Sequence, residues 1–162
     1  MATLDTLSGN SGPLTLVKVP LARRQLAERS FYALPAFMDW LSNVLPTLMQ
    51  GRLQSTFSPQ SQLDALLRDW ILGRPINYPG VIHYMKPLGN GACELKTDDL
   101  RIFGWLYRPK VFIAAMGDYA DDYKEPTKTK IYGAARDKVL AEVAALDLDP
   151  PKMQTGPIYA LL

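Results

Sequence analysis

The stretch from Val81 to Met116 constrains the fold more than any other part of the chain. It carries four runs of strand character: Val81–Lys86 (VIHYMK), Ala92–Thr97 (ACELKT), Leu100–Arg108 (LRIFGWLYR) and Val111–Met116 (VFIAAM). The breaks between them are Gly89-Asn90-Gly91, Asp98-Asp99 and Pro109-Lys110. A parallel pair needs a crossover of about a dozen residues or more, so these four runs are expected to follow one another as antiparallel neighbours. The change to strand character falls after Pro79. Gly104, inside the third run, marks a bulge or a close backbone approach. Phe103, Trp105 and Tyr107 share one face, opposite Ile102 and Leu106. The aromatic face is expected to pack against helices, with base stacking as the alternative. The Gly-x-Gly at 89–91 reads as a tight turn and not as a phosphate loop, because no helix follows it.

Helical patterns flank this block. Residues 34–49 set Leu34, Phe37, Met38, Leu41, Val44, Leu45 and Leu48 on one face. Pro35 suits the first turn, and Pro46 should kink or end the helix. A second helix opens at Ser58 as N-cap with Pro59 behind it, lines up Leu63, Leu66, Leu67, Trp70 and Ile71, and stops at Gly73 and Pro75. The two are expected to form an antiparallel helical hairpin. A last helix spans residues 131–146, with Ala134, Ala135, Val139, Val143 and Leu146 on or near one face, and stops at Asp149-Pro150-Pro151. Upstream, Leu14–Val19 is a short strand candidate closed by Pro20, and residues 21–30 are a helical turn or a linker. Asp118–Lys130 reads as a polar loop. The expected fold is α+β, a helical hairpin followed by a small antiparallel sheet and a C-terminal helix. Residues 1–30 form a partly flexible N-terminal extension, residues 31–148 the domain, and residues 149–162 a tail.

A length of 162 residues suits one such domain. The single Cys93 excludes a disulfide framework and a Cys-rich zinc site, and is expected as buried filler. The single His83 excludes a His-rich metal site. It reads as a partly buried structural histidine, with general acid/base work as the alternative, and its immediate neighbours supply no orienting partner. A net charge of +2 argues against binding nucleic acid by bulk electrostatics alone. The N-terminus lacks a basic start followed by an apolar stretch, and no apolar run is long enough to cross a bilayer. A soluble, cytoplasmic chain with no membrane partner, no metal and no cofactor is expected.

Two charged groups are candidates for chemistry. Lys86, Lys96 and Arg101 sit on or at the ends of strands, with Arg108 and Lys110 further along. Three cations on one sheet face would make an anion site able to hold a phosphate and neutralise charge in phosphoryl transfer. The plain alternative is the solvated face of a one-sided sheet. Asp118, Asp121 and Asp122 could ligate a divalent cation, but the Gly and Glu of a calcium loop are missing, so a solvated acidic loop is expected.

Residues 37–146 resemble the RelE/HigB-like toxin superfamily, especially its phage-derived branch. The resemblance rests on the helix pair, on Lys86-Pro87-Leu88-Gly89, on Glu94-Leu95-Lys96, on Arg101-Ile102-Phe103, and on the helix beginning near KIYGAARDKV. It implies a compact sheet with helices on one side. For catalytic members it implies metal-independent cleavage of mRNA in the ribosomal A site by the ribose 2′-OH, with an antitoxin as partner. Carried over, Lys86, Lys96 and Arg101 would hold the scissile phosphate, and Arg108, Lys110, Lys124 and Tyr123 would contact RNA. The family commonly continues into a Phe-x-Lys-Lys segment, where this chain has Asp121 and Asp122 about where the two cations would stand. That acidity motivates a second expectation, a non-catalytic member of the fold that binds a host or phage protein.

Overall fold

The computed structural model describes every residue except Met1, Asn10, Tyr78 and Pro79. The break expected at Pro79 therefore lies outside the described residues. In chain order the elements are α1 (Leu4–Leu7), β1 (Thr15–Leu16), β2 (Ser30–Ala33), α2 (Pro35–Asn43), α3 (Pro59–Ile71), β3 (Ile82–Tyr84), β4 (Ala92–Lys96), β5 (Leu100–Arg108), β6 (Val111–Tyr119), α4 (Tyr132–Ala145) and α5 (Ile158–Leu161). Single 3₁₀ turns stand at Leu45–Thr47 and Ala120–Tyr123.

The strands form one six-stranded sheet in the order β1-β2-β6-β5-β4-β3. From β3 to β6 it is the antiparallel meander that the short breaks require, with Ile82 opposite Leu95, Ala92 opposite Trp105 and Leu100 opposite Tyr119. The expectation of a wholly antiparallel sheet is corrected at β2, which runs parallel to β6 with Ser30 opposite Val111 and Ala33 opposite Ala114. The long path through α2, α3 and three strands supplies the crossover that a parallel pair needs. β2 also separates β1 from α2, and residues 44–58 lie between α2 and α3. The chain therefore does not begin as a helical hairpin feeding a sheet.

Alternation of side chains decides what covers each face. Leu100, Ile102 and Leu106 of β5, with Cys93 and Leu95 of β4, lie in one core with Phe37 and Trp40 of α2 and Leu63, Leu67 and Trp70 of α3. Phe103, Trp105 and Tyr107 lie in a second core with Ala135, Val139 and Val143 of α4. The sheet is thus covered by helices on both faces, where the resemblance implied one. Burial on both faces explains why eight of the nine residues of β5 are buried, a pattern that a one-sided strand does not show.

Local chemistry sets the ends. Ser58 caps α3, its side chain accepting from Ser61 N–H, and Pro59 occupies the first turn. Gly73 then adopts φ +69°, the left-handed conformation that ends helices at low cost. The 34–49 pattern shortens to Pro35–Asn43, and Pro46 falls in the 3₁₀ turn that follows. A Cβ on Gly104 would stand 2.0 Å from the Ile113 carbonyl oxygen, and the β5–β6 register shifts beside it, so both readings of that glycine hold.

The chain ends are tied to the domain. Ala2 N–H donates to the Asp147 carbonyl at 2.7 Å, and Leu14 is buried. At the other end Ile158 and Leu161 enter the first core. Trp105 Nε1–H donates to the Lys152 carbonyl, and Lys110 N–H to the Leu161 carbonyl.

Candidate functional site

The β3–β4 hairpin turns at Gly89 and Gly91, both with positive φ. Counting back from that turn puts His83 opposite Glu94 and leaves Lys86 at its start, exposed. One strand further, Lys96 pairs with Arg101 and Arg101 with Asp118. Strand alternation sends His83, Glu94, Lys96, Arg101 and Asp118 to the face that α4 covers. α4 crosses only part of it. Between its first turn and the hairpin lies a pocket of about 350 Å³ lined by His83, Tyr84, Met85, Lys86, Glu94, Lys96 and Tyr132.

Its floor is ionic. Glu94 is buried at 3% exposure, with His83 Nε2 2.8 Å from one carboxylate oxygen and Arg101 Nε 3.0 Å from the other. The Arg101 contact is close in distance but poorly aligned as a hydrogen bond. Arg101 is itself 4% exposed, and its Nη1 donates to the Thr97 and Leu100 carbonyls, each at 2.7 Å. A proton on Nε2 facing Glu94 leaves Nδ1 as the lone-pair nitrogen, and that atom is covered and without a hydrogen-bond partner. Arg136 of α4 donates from Nη1 to the Lys86 carbonyl at 2.9 Å, fixing the turn that carries Lys86.

The three cations expected to act together therefore divide. Lys86 and Lys96 reach one pocket, whereas Arg101 lies beneath it as the counter-charge of Glu94. An Arg in a strand reads as solvated from sequence, but a sheet covered on both faces leaves it no solvent. Glu94 and its pairing with His83 were missed by sequence reasoning. The signal was present in the hairpin register, which follows from the position of the turn.

The expected RNA contacts scatter. Arg108 lies at the far end of β5, stacked 4.1 Å over the Tyr107 ring, and donates to the carbonyls of Asp149, Pro150 and Pro151. Lys110 is exposed in the β5–β6 turn at φ +64°. Lys124 is half-buried after the second 3₁₀ turn. Tyr123 is 6% exposed, and its hydroxyl donates to Asp118 Oδ2 at 2.5 Å. Burial, and then that bond, push its phenol well above the ordinary range. Its ring packs 4.7 Å from Tyr132 and 5.4 Å from Phe103.

The acidic run is not a solvated loop. Asp118 belongs to β6 and is 7% exposed, with Lys130 Nζ at 2.5 Å from its other oxygen. Lys130 also pairs with Asp122 at 3.2 Å, and Asp121 accepts from the backbone N–H of Arg52 at 2.9 Å. Burial opposes charge on Lys130, but the two carboxylates outweigh it and raise its pKa. These aspartates hold the 50s loop and the segment leading to α4. Asp99, buried next to them, accepts from Gln62 Nε2 and Gly51 N–H.

Cys93 is fully buried in the first core, where burial pushes its thiol up to about 12. Among the described residues no three His, Cys, Asp or Glu side chains converge as a metal site requires, and no helix is long and apolar enough to cross a membrane. The chain matches no family model, no curated protein and no solved structure.

Proposed function

We propose that this chain is a RelE-like, toxin-type endoribonuclease that cuts mRNA on the ribosome through its own side chains and is neutralised by a cognate antitoxin. The observation that carries this reading is the convergence of Lys86, Lys96 and the His83–Glu94 pair in one pocket. Two ammonium groups suit a phosphodiester, whose negative charge grows as the neighbouring 2′-OH attacks. The 2′ oxygen attacks phosphorus as its proton leaves to solvent water, because His83 Nε2 faces Glu94 and Nδ1 is covered. Lys86 and Lys96 neutralise the non-bridging oxygens. The P–O5′ bond breaks, Tyr132 gives a proton to the leaving oxygen, and the products carry a 2′,3′-cyclic phosphate and a 5′-OH. Glu94 orients and balances the imidazole, and Arg101 is a positioning residue that holds Glu94 from below.

Expression without a partner should arrest growth and produce transcripts with 5′-OH ends. Lys86→Ala with Lys96→Ala should relieve both. Intact transcripts and normal growth at high expression would sink the reading. The burial of Arg101 favours the second reading, a non-catalytic member of the fold that binds a host or phage protein. In that case a stoichiometric protein partner is captured and no RNA is cut.

A further inference from the structure

A second pocket, of about 260 Å³, lies toward the opposite edge of the sheet from His83. It opens between the residues that continue β1, the segment that leads into β2, and the end of α3. Val17, Val19, Leu21, Ala27 and Ile71 make its wall apolar. Arg29 also lines it and is 8% exposed. The Arg29 guanidinium lies over the Trp70 ring at 5.3 Å. Its Nε donates to the main-chain oxygen of Leu162 at 3.0 Å, and its Nη1 to the Arg74 carbonyl at 2.9 Å. Nη2, which carries two N–H groups, has no partner among the described residues and is not sealed from solvent. Glu28, the neighbour in sequence, lies against Gly73, and no Asp or Glu side chain comes within ion-pair distance of Arg29 among the described residues. Burial lowers the Arg29 pKa, and Glu28 offsets that in part. Lys18 lines the same pocket and is exposed.

We propose that this pocket binds an aliphatic monocarboxylate of medium chain length, with the carboxylate on Arg29 Nη2 and the chain along Val17, Val19 and Leu21. A buried cation with idle donors favours an anion, and the apolar wall decides what the anion is attached to. A carboxylate brings one charge, which Nη2 meets with a charge-assisted hydrogen bond and Lys18 supports. A phosphate monoester brings close to two charges and three acceptor oxygens, and beyond the two cations the wall adds for it only the Ser30 hydroxyl. The volume lies below the usual range for drug-sized ligands, which suits a single short chain. The site shares no residue with the pocket of His83 and does not rest on the reading of that pocket.

The test is calorimetric titration of the full chain with acetate, hexanoate, octanoate, 1-octanol and octylamine, each below its micelle-forming concentration. Octanoate should bind about tenfold more tightly than hexanoate, in keeping with two further buried methylenes, and acetate should not bind detectably. The alcohol and the amine should bind at least tenfold more weakly than octanoate, since neither gives Nη2 a charged acceptor. Leu21→Glu sets a like charge beside the carboxylate, and Ala27→Trp fills the space, so each should weaken octanoate by at least tenfold. Both replace exposed side chains, and circular dichroism of each variant checks that the fold is kept. Lys86→Ala with Lys96→Ala should leave octanoate binding unchanged. Equal binding of octanoate and 1-octanol, octanoate binding that survives both pocket variants or disappears with the two lysines, or no octanoate binding at all overturns the proposal. None of these outcomes depends on whether the chain cuts RNA.

Discussion

Replacing Arg101 with Ala separates a structural role from a catalytic one. Glu94 and Arg101 are 3% and 4% exposed, and their charged groups stand 3.0 Å apart. Removing the guanidinium leaves a carboxylate in a water-poor layer with only His83 as partner, and strips the Thr97 and Leu100 carbonyls of a shared donor. Breaking a buried pair from one side costs about 3–5 kcal/mol, because the remaining charge keeps its desolvation penalty. A domain is stable by about 5–15 kcal/mol, so the variant should stand near the edge of folding. Lys86→Ala and Lys96→Ala remove cations that make no ion pair among the described residues and should each cost about 0.5 kcal/mol or less. Urea unfolding at neutral pH, followed by fluorescence, measures all three. Glu94→Leu with Arg101→Met, an apolar replacement of both partners, should recover much of the loss, since neither charge then remains buried. An Arg101→Ala variant destabilised by less than about 1 kcal/mol would refute the argument, as would a double variant weaker than the single one.

Further outcomes follow from the same contacts. Tyr123→Phe removes a hydroxyl that donates to a buried carboxylate and should cost about 1.5–3 kcal/mol by the same unfolding assay. Tyr123 and Lys130 both have folded pKa values raised above their unfolded ones. Their contribution is whole below about pH 10 and is lost as pH climbs through the folded values, so stability should fall in alkali, and Tyr123→Phe with Lys130→Met should flatten that fall. Cys93 should resist a thiol reagent until the chain unfolds, with labelling measured by mass spectrometry. Deleting residues 158–162 removes the buried Ile158 and Leu161 and should lower stability by about 3–6 kcal/mol, read by thermal unfolding.

Local signals and short connections fixed much of the architecture in advance. The breaks at 89–91, 98–99 and 109–110 are too short for anything but an antiparallel meander, and β5 runs from Leu100 to Arg108 as its composition demands. Ser58, Pro59 and Gly73 bound α3 through backbone hydrogen bonding and φ, which depend on residues close in sequence. The faces of β5 could be read from alternation alone.

Tertiary structure decided the rest, because the deciding partners are distant along the chain. Phe31-Tyr32-Ala33 is a strand that pairs with Phe112-Ile113-Ala114 some eighty residues later as well as with β1, and the parallel contact makes the sheet mixed. The position of α4 over the second face turned Arg101 from a solvated cation into a buried counter-ion, and gave the aspartates of the 118–122 run structural partners. The same packing left Lys86, Lys96, His83 and Glu94 around one pocket. The sequence by itself determined α3, α4 and the meander from β3 to β6, and which of their side chains share a face, since these follow from spacing. Which charges meet water, and which meet each other, was decided only when distant segments closed over the sheet.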